Sequence, residues 1–213
     1  MSAAERMDAI RQKIKTCQEC SLHQGCKNAV PGEGPVNAQV MCIGEGPGFH
    51  ENEQGKPFVG QAGKFLDELL ASGGLKREEV FITNVVKCRP PSNRDPEPQE
   101  LAACRMYLDE QIELINPKII VTLGRFSMAR FVEAGRISQI HGKTHEVEGR
   151  TVITMYHPAA ALHQPALRGD LLNDFAHLKV FLGHEPKVET PTLLPSAPAK
   201  VDDESEAEQL SLF

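Results

Sequence analysis

Apolar residues recur along the chain in two rhythms, one helical and one strand-like. Met7, Ile10 and Ile14 stand at three- and four-residue intervals and predict a helix over Ala3 to Thr16. The short apolar run Gln39 to Gly44 reads as a first buried strand, and Phe65, Leu66, Leu69 and Leu70 put one apolar face on a helix from Lys64 to Ala71. Ser72-Gly73-Gly74 stops that helix. Val80 to Val86 reads as strand two, Pro90 to Pro98 as a proline-rich excursion, and Glu97 to Ile115 as a long helix with Leu101, Cys104, Leu108, Ile112 and Ile115 inward. Lys118 to Leu123 is strand three, and Gly124 opens a helix through Val132. Thr144 to Glu148 and Arg150 to Met155 flank Glu148-Gly149, a hairpin-like approach to strand four. His157 to Leu162 reads as a loop and Asp170 to Phe181 as the last amphipathic helix. The alternation predicts an α/β fold: three αβα layers around a central four-stranded parallel sheet.

That pattern has one conspicuous interruption. Between strand one and its helix, Gly44 to Gly63 spans about twenty residues, where a crossover in an α/β unit needs only a few. It carries six glycines, which allow close approach of backbone to a ligand, and Phe58, a large apolar side chain in a loop. Parallel strands point the same way, so the residues at their carboxyl ends meet in one crevice. Glu45 follows strand one, Asn84 lies near the end of strand two, and His157 follows strand four. These three polar residues are therefore expected to converge.

Composition narrows the setting. With 213 residues the chain can bury one good core and leave a tail. The formal net charge is -6, but from His184 onward the acids exceed Lys187 and Lys200 by five, which leaves the body near neutral. Any nucleic-acid surface must then be local rather than a broad basic face. No run of about eighteen apolar residues occurs, and Met1 to Lys15 lacks a signal-peptide core. No membrane contact is expected, and a soluble cytoplasmic monomer is. In that compartment the six cysteines are expected to bind metal or stay reduced rather than form disulfides.

Gly44-Glu45-Gly46-Pro47-Gly48, then Glu51, then Gly55-Lys56-Pro57-Phe58-Val59-Gly60-Gln61-Ala62-Gly63 resembles the first active-site motif of the family 4, iron–sulfur uracil-DNA glycosylases. Ile82-Thr83-Asn84-Val85-Val86-Lys87-Cys88-Arg89-Pro90-Pro91, the cysteine set and His157-Pro158-Ala159-Ala160-Ala161-Leu162 resemble the same family, in the expected order, from about Cys17 to Leu182. The resemblance implies a uracil-DNA glycosylase-like fold and an enzyme that hydrolyses the N-glycosidic bond of uracil in DNA, leaving an abasic site for base excision repair. Such an enzyme must first flip the base out of the stack. Asn84 would pair with uracil O4 and N3–H, and His157 would donate to O2 as charge gathers there. Phe58 would stack on the base, beside the backbone of Gly46. The better-known main family carries an Asp where this chain has Gly46, so Glu51, with Glu45 second, is expected to order the attacking water.

The resemblance also implies a ligand set, Cys17, Cys20, Cys88 and Cys104, for one 4Fe–4S cluster in a structural role. Spacing alone fits a structural zinc site equally well. Cys42 falls inside strand one and reads as core, while Cys26 has no assigned part. Candidate phosphate contacts are the amides near Gln61 to Gly63 together with Arg89, Arg94, Arg125 and Lys143, and Leu162 stands where a wedge for the vacated base position is expected. His141 replaces a usual Arg. Pro90 to Ala103 lacks the insertion by which a related branch captures its substrate covalently, so turnover is expected.

Three segments follow. Residues 1–183 form the glycosylase-like domain. Residues 184–208, rich in Pro, Ala, Ser, Thr and acid, cannot bury enough apolar surface to fold and read as a linker. Gln209-Leu210-Ser211-Leu212-Phe213 resembles the peptide by which bacterial repair proteins bind the DNA polymerase sliding clamp, with Gln209 as polar anchor and Leu210, Leu212 and Phe213 as apolar ones. A non-catalytic module that binds uracil-containing or single-stranded DNA through the same pocket is the alternative function. A redox-sensing cluster protein would explain the cysteines but not the pocket.

Overall fold

The computed structural model describes residues 1–132 and 135–183. In chain order the elements are α1 (Ala3–Lys15), β1 (Val40–Gly44), α2 (Phe49–Gln54), α3 (Gln61–Ser72), β2 (Val80–Asn84), α4 (Pro98–Ile115), β3 (Ile119–Leu123), α5 (Arg125–Ala129), α6 (Ile137–Ile140), β4 (Thr144–Val147), β5 (Arg150–Met155), α7 (Ala160–His163), α8 (Leu167–Ala176) and α9 (Leu178–Leu182). The expected linker over 184–208 and the clamp peptide over 209–213 lie outside the described residues.

Every residue of β1, β2 and β3 is buried, as strands covered on both faces must be. Alternate residues of β1 serve the two faces. Val40 and Cys42 pack with Phe65, Leu66, Leu69 and Leu70 of α3 and with Leu171 and Phe175 of α8. Met41 and Ile43 pack with Met7 of α1 and with Leu108, Ile112 and Ile115 of α4. The three layers follow from this period-two division. Two helix ends are set by polar residues. The Ser2 hydroxyl accepts from the Glu5 amide at 3.2 Å while the Glu5 carboxylate accepts from the Ser2 amide at 2.7 Å. Asn116 closes α4 in the left-handed conformation, at φ 48°.

The sheet order is β2-β1-β3-β5-β4. The pairings β1 with β2, β1 with β3 and β3 with β5 are parallel, and β4 with β5 is antiparallel. The sheet is thus five-stranded and mixed, which corrects the expected four-stranded parallel one. The physical reason is the Glu148-Gly149 turn, where both residues take positive φ and return the chain antiparallel. β4 alternates exposed and half-buried residues and so lacks the apolar run that marks the other four strands.

Three local differences bear on the site. The long glycine loop contains a helix, α2, too short to show a periodic apolar face. The expected His157–Leu162 loop turns into α7 at Ala160. The expected final helix is two, α8 and α9.

Candidate active site

The carboxyl ends of β1, β2 and β5 open into a cavity of about 460 Å³. Glu45, Gly46, Glu51, Phe58, Asn84 and His157 all line it, so the residues expected to converge do so. Pro90, Asn93 and Arg94 add a wall from the proline-rich excursion, and Ala159, Ala160 and His163 add one from the start of α7.

Asn84 ends β2 directly opposite Gly44 in the parallel register. It is 1 % exposed. Its Oδ1 is buried without a hydrogen-bond partner, and an unpaired buried acceptor costs about 1–3 kcal/mol. A donor brought by a ligand would recover that loss. Glycine is required next door, because a Cβ at Gly44 would stand 2.4 Å from Asn84 Oδ1 and 2.6 Å from Phe58 Cζ. From behind, Asn84 is braced by Lys87. This lysine is 2 % exposed, and its Nζ donates to the Asn84 carbonyl at 2.9 Å, to Thr83 Oγ1 at 2.7 Å and to Gln111 Oε1 at 2.8 Å. Burial lowers its pKa to about 7. Sequence reading missed Lys87, because a cation next to Val85-Val86 looks like the solvent end of a strand.

His157 is held in one tautomer by its own backbone. The Ala159 amide donates to His157 Nδ1 at 3.1 Å, so Nδ1 is an acceptor and the proton of the neutral ring sits on Nε2. Although the cavity leaves the ring partly accessible, the protein packed around it strips away solvent and lowers the pKa to about 4, against a weaker opposing pull from Glu51. At neutral pH the side chain is an uncharged N–H donor. Its ring stacks on Phe58 with centroids 5.6 Å apart and an interplanar angle of 27°.

Phe58 itself sits at φ 50°, a conformation unusual for a bulky residue. Two devices hold it there. Arg77 donates to the Pro57 carbonyl at 2.6 Å and to the Phe58 carbonyl at 3.2 Å. Gly63 lets that carbonyl come so close that a Cβ there would lie 1.9 Å from its oxygen.

The two acids differ. Glu51 accepts from three backbone amides, Gly48 at 3.1 Å, Val59 at 2.9 Å and Gly60 at 3.1 Å, and so staples the two ends of the glycine loop together. Glu45 has no side-chain hydrogen bond among the described residues, and burial raises its pKa, reinforced by Asp95 and opposed by Arg125. Glu53 pairs with Lys27.

A family model described as the Uracil DNA glycosylase superfamily matches residues 31–181, which contain this whole cavity. The chain belongs to the uracil-DNA glycosylase superfamily. It is 48 % identical over 189 residues to a type-4 uracil-DNA glycosylase of Archaeoglobus fulgidus, covering 84 % of this chain and 94 % of that protein. It is 47 % identical over 192 residues to one of Saccharolobus solfataricus, covering 85 % and 89 %. A Thermotoga maritima relative of the same description is 41 % identical over 186 residues, covering 85 % and 97 %.

Of the basic candidates for DNA contact in this superfamily member, Arg94 lines the cavity, and the candidates are not equivalent. Arg94 is engaged with Glu100, at 2.7 and 2.9 Å, and that pairing holds the Glu100 pKa down to about 2. Arg125 pairs with Asp95. Arg89 donates to Asn93 Oδ1 at 2.8 Å. Lys143 and Leu162 are exposed, and Ala62 carries the first turn of α3 to the cavity wall. His141 is a structural clasp, with Nδ1 2.7 Å from Asp174 Oδ2 and its ring against Tyr156.

Behind Asn84 lies a second chamber. Cys17, Cys20, Cys88 and Cys104 line one small cavity together with His23, Lys87 and Tyr107. The four expected ligands are therefore brought together from the end of α1, the segment after it, the exit of β2 and α4. The sulfur of Cys88, however, is bonded to Cys26, whose Cα lies 5.4 Å away. This departs from the expectation that no disulfide forms and that Cys88 presents a free thiolate. It follows from the two Cα atoms standing within ordinary disulfide reach. Among the described residues no group of three or more His, Cys, Asp or Glu side chains is positioned to hold a metal ion. Cys42 is a core thiol, as expected, pushed up to about 12 by burial.

Proposed function

We propose that the chain is a monofunctional uracil-DNA glycosylase that hydrolyses the N-glycosidic bond of deoxyuridine in DNA and leaves an abasic site. The observation that carries this reading is the unpaired Asn84 Oδ1 facing the same cavity as the neutral His157 ring. Oδ1 would accept uracil N3–H while the amide nitrogen donates to O4. Cytosine presents the opposite pattern at those positions and leaves both groups unpaired. His157 Nε2–H would donate to O2 as the C1′–N1 bond lengthens and the bonding electrons move onto the base. Water supplies hydroxyl to C1′, and its proton is released. For holding that water we favour Glu45 over Glu51, because three backbone amides already engage the Glu51 carboxylate.

We further propose that the cysteine chamber holds the 4Fe–4S cluster, with Cys88 serving as the fourth ligand once a small cellular thiol has reduced the Cys26–Cys88 bond by two electrons and left Cys26 as a free thiol. Four cysteine side chains around one cavity, three of them free thiols, support this, and the group would supply a structural cross-link among three chain segments. The pentapeptide Gln209–Phe213 is proposed to bind the sliding clamp, on the strength of its pattern of anchors. Deleting it is expected to abolish clamp binding and leave excision from a free oligonucleotide unchanged. The test of the main reading is incubation with a uracil-containing oligonucleotide, followed by alkali. Strand scission at the uracil position is expected. Tight binding without scission would instead favour the non-catalytic module.

A further inference from the structure

Phe49 is 54 % exposed, although it stands one residue beyond Gly48, which lines the uracil cavity. Two polar side chains lie against the ring. The Arg89 guanidinium lies over it at 5.4 Å from the centroid, and the His50 ring meets it edge-on at 5.5 Å. It belongs to neither large hydrophobic cluster. Arg89 is itself anchored to Asn93, another residue of the cavity wall. The result is a ledge at the cavity mouth: an aromatic face backed by a delocalised cation that is fixed to the wall.

We propose that this ledge binds the nucleotide adjacent to the flipped uracil, Phe49 stacking on its base. The proposal rests on the uracil pocket described above. When one base leaves the stack its neighbour loses a stacking partner on that side, and the strand must pass the cavity mouth where Phe49 is exposed. Every base offers a π-face, so an aromatic ring accepts any neighbour without reading its sequence, and an arginine beside the ring adds cation–π attraction and balances the local phosphate. A Phe that is half exposed and outside the hydrophobic clusters contributes less to folding than a core residue, so its removal tests binding rather than stability.

The experiment compares wild type, Phe49→Ala and Phe49→Trp. Binding is measured by anisotropy on single-stranded oligonucleotides bearing one 2′-fluoro-deoxyuridine, whose glycosidic bond resists cleavage. Companion oligonucleotides carry an abasic spacer at either nucleotide flanking the uracil. Phe49→Ala is expected to weaken binding about tenfold, the scale of one base–aromatic stack. Phe49→Trp should bind at least as well as wild type. The alanine penalty should vanish on the oligonucleotide whose spacer removes the stacked base. An alanine variant that binds like wild type, or a penalty that persists on both spacer oligonucleotides, overturns the proposal. Excision of ordinary deoxyuridine, followed in parallel, reports on the pocket. Normal excision with no Phe49 effect would therefore discard the ledge and leave the pocket reading standing.

Discussion

The two chambers on either side of β2 differ in how they are made. The cavity at the strand ends is finished by backbone. Glycines admit Phe58 and Asn84 to positions a Cβ would forbid, Glu51 ties three amides, and one amide fixes the tautomer of His157. The cysteine chamber is assembled from side chains of three separate segments, and one of its four thiols is paired with a fifth. A pocket for a neutral base gains from rigidity before the ligand arrives, since donors that need no reorganisation act most strongly on developing charge. A metal site has no such need, because the ion itself organises the ligands and its binding energy becomes folding energy. The two meet at Lys87 and Cys88, adjacent residues that face Asn84 and the thiols respectively.

The largest effect should come from breaking the second chamber. Cys88→Ala or Cys104→Ala is expected to lose the iron and the soluble fold together, whereas Cys26→Ala should keep about four iron atoms and the broad visible absorbance of a 4Fe–4S protein. Iron content and colour of the purified proteins check this. Stoichiometric zinc in wild type would replace the cluster reading, and loss of iron from Cys26→Ala would make Cys26 a ligand. Chelation should likewise lower the thermal midpoint of wild type far more than any pocket substitution does.

Next is the pocket. Asn84→Ala or His157→Ala is expected to reduce kcat/KM about 100- to 1,000-fold, the scale of losing one preorganised donor, with iron content and thermal midpoint near wild type. Near wild-type excision in both variants would remove the pocket assignment. The residues responsible are legible in the amino-acid pattern itself, because strand ends in a parallel sheet must converge and Glu45, Asn84 and His157 are the polar residues there. Support from a distance along the chain is not legible in that way. Arg77 reaches back to Pro57 and Phe58, and Gln111 of α4 receives Lys87. Neither partnership has a periodic or motif signature. The fifth strand escapes for a related reason: β4 alternates exposed and half-buried residues, so it has no apolar run.

The contrast between the two acids offers a smaller, sharper test. Glu51→Gln places amide hydrogens against backbone N–H donors and is expected to cost about 2 kcal/mol of stability, the scale of a charge-assisted hydrogen bond. Glu45→Gln breaks no hydrogen bond and should leave the denaturant midpoint unchanged while lowering kcat. If Glu45→Gln kept full kcat and the stable Glu51 variants lost it, the water would belong to Glu51.

The smallest expected effect isolates His157. Its folded pKa, about 4, lies below the ordinary histidine value of 6.5, so the unfolded chain binds a proton more readily than the folded one. Stability contributed by keeping this ring neutral is complete above about pH 6.5 and is lost as pH falls toward 4, below which the folded form protonates as well. Between pH 7 and 5.5 the loss is about 1 kcal/mol. His157→Asn has no such proton to take up, so the difference between its unfolding free energy and that of wild type should shift by that amount over the same interval. The other histidines are common to both proteins and cancel in the difference. A pH-independent difference would mean that the ring titrates near its ordinary value, and with it would go the argument that packing around the ring holds it neutral below pH 6.5.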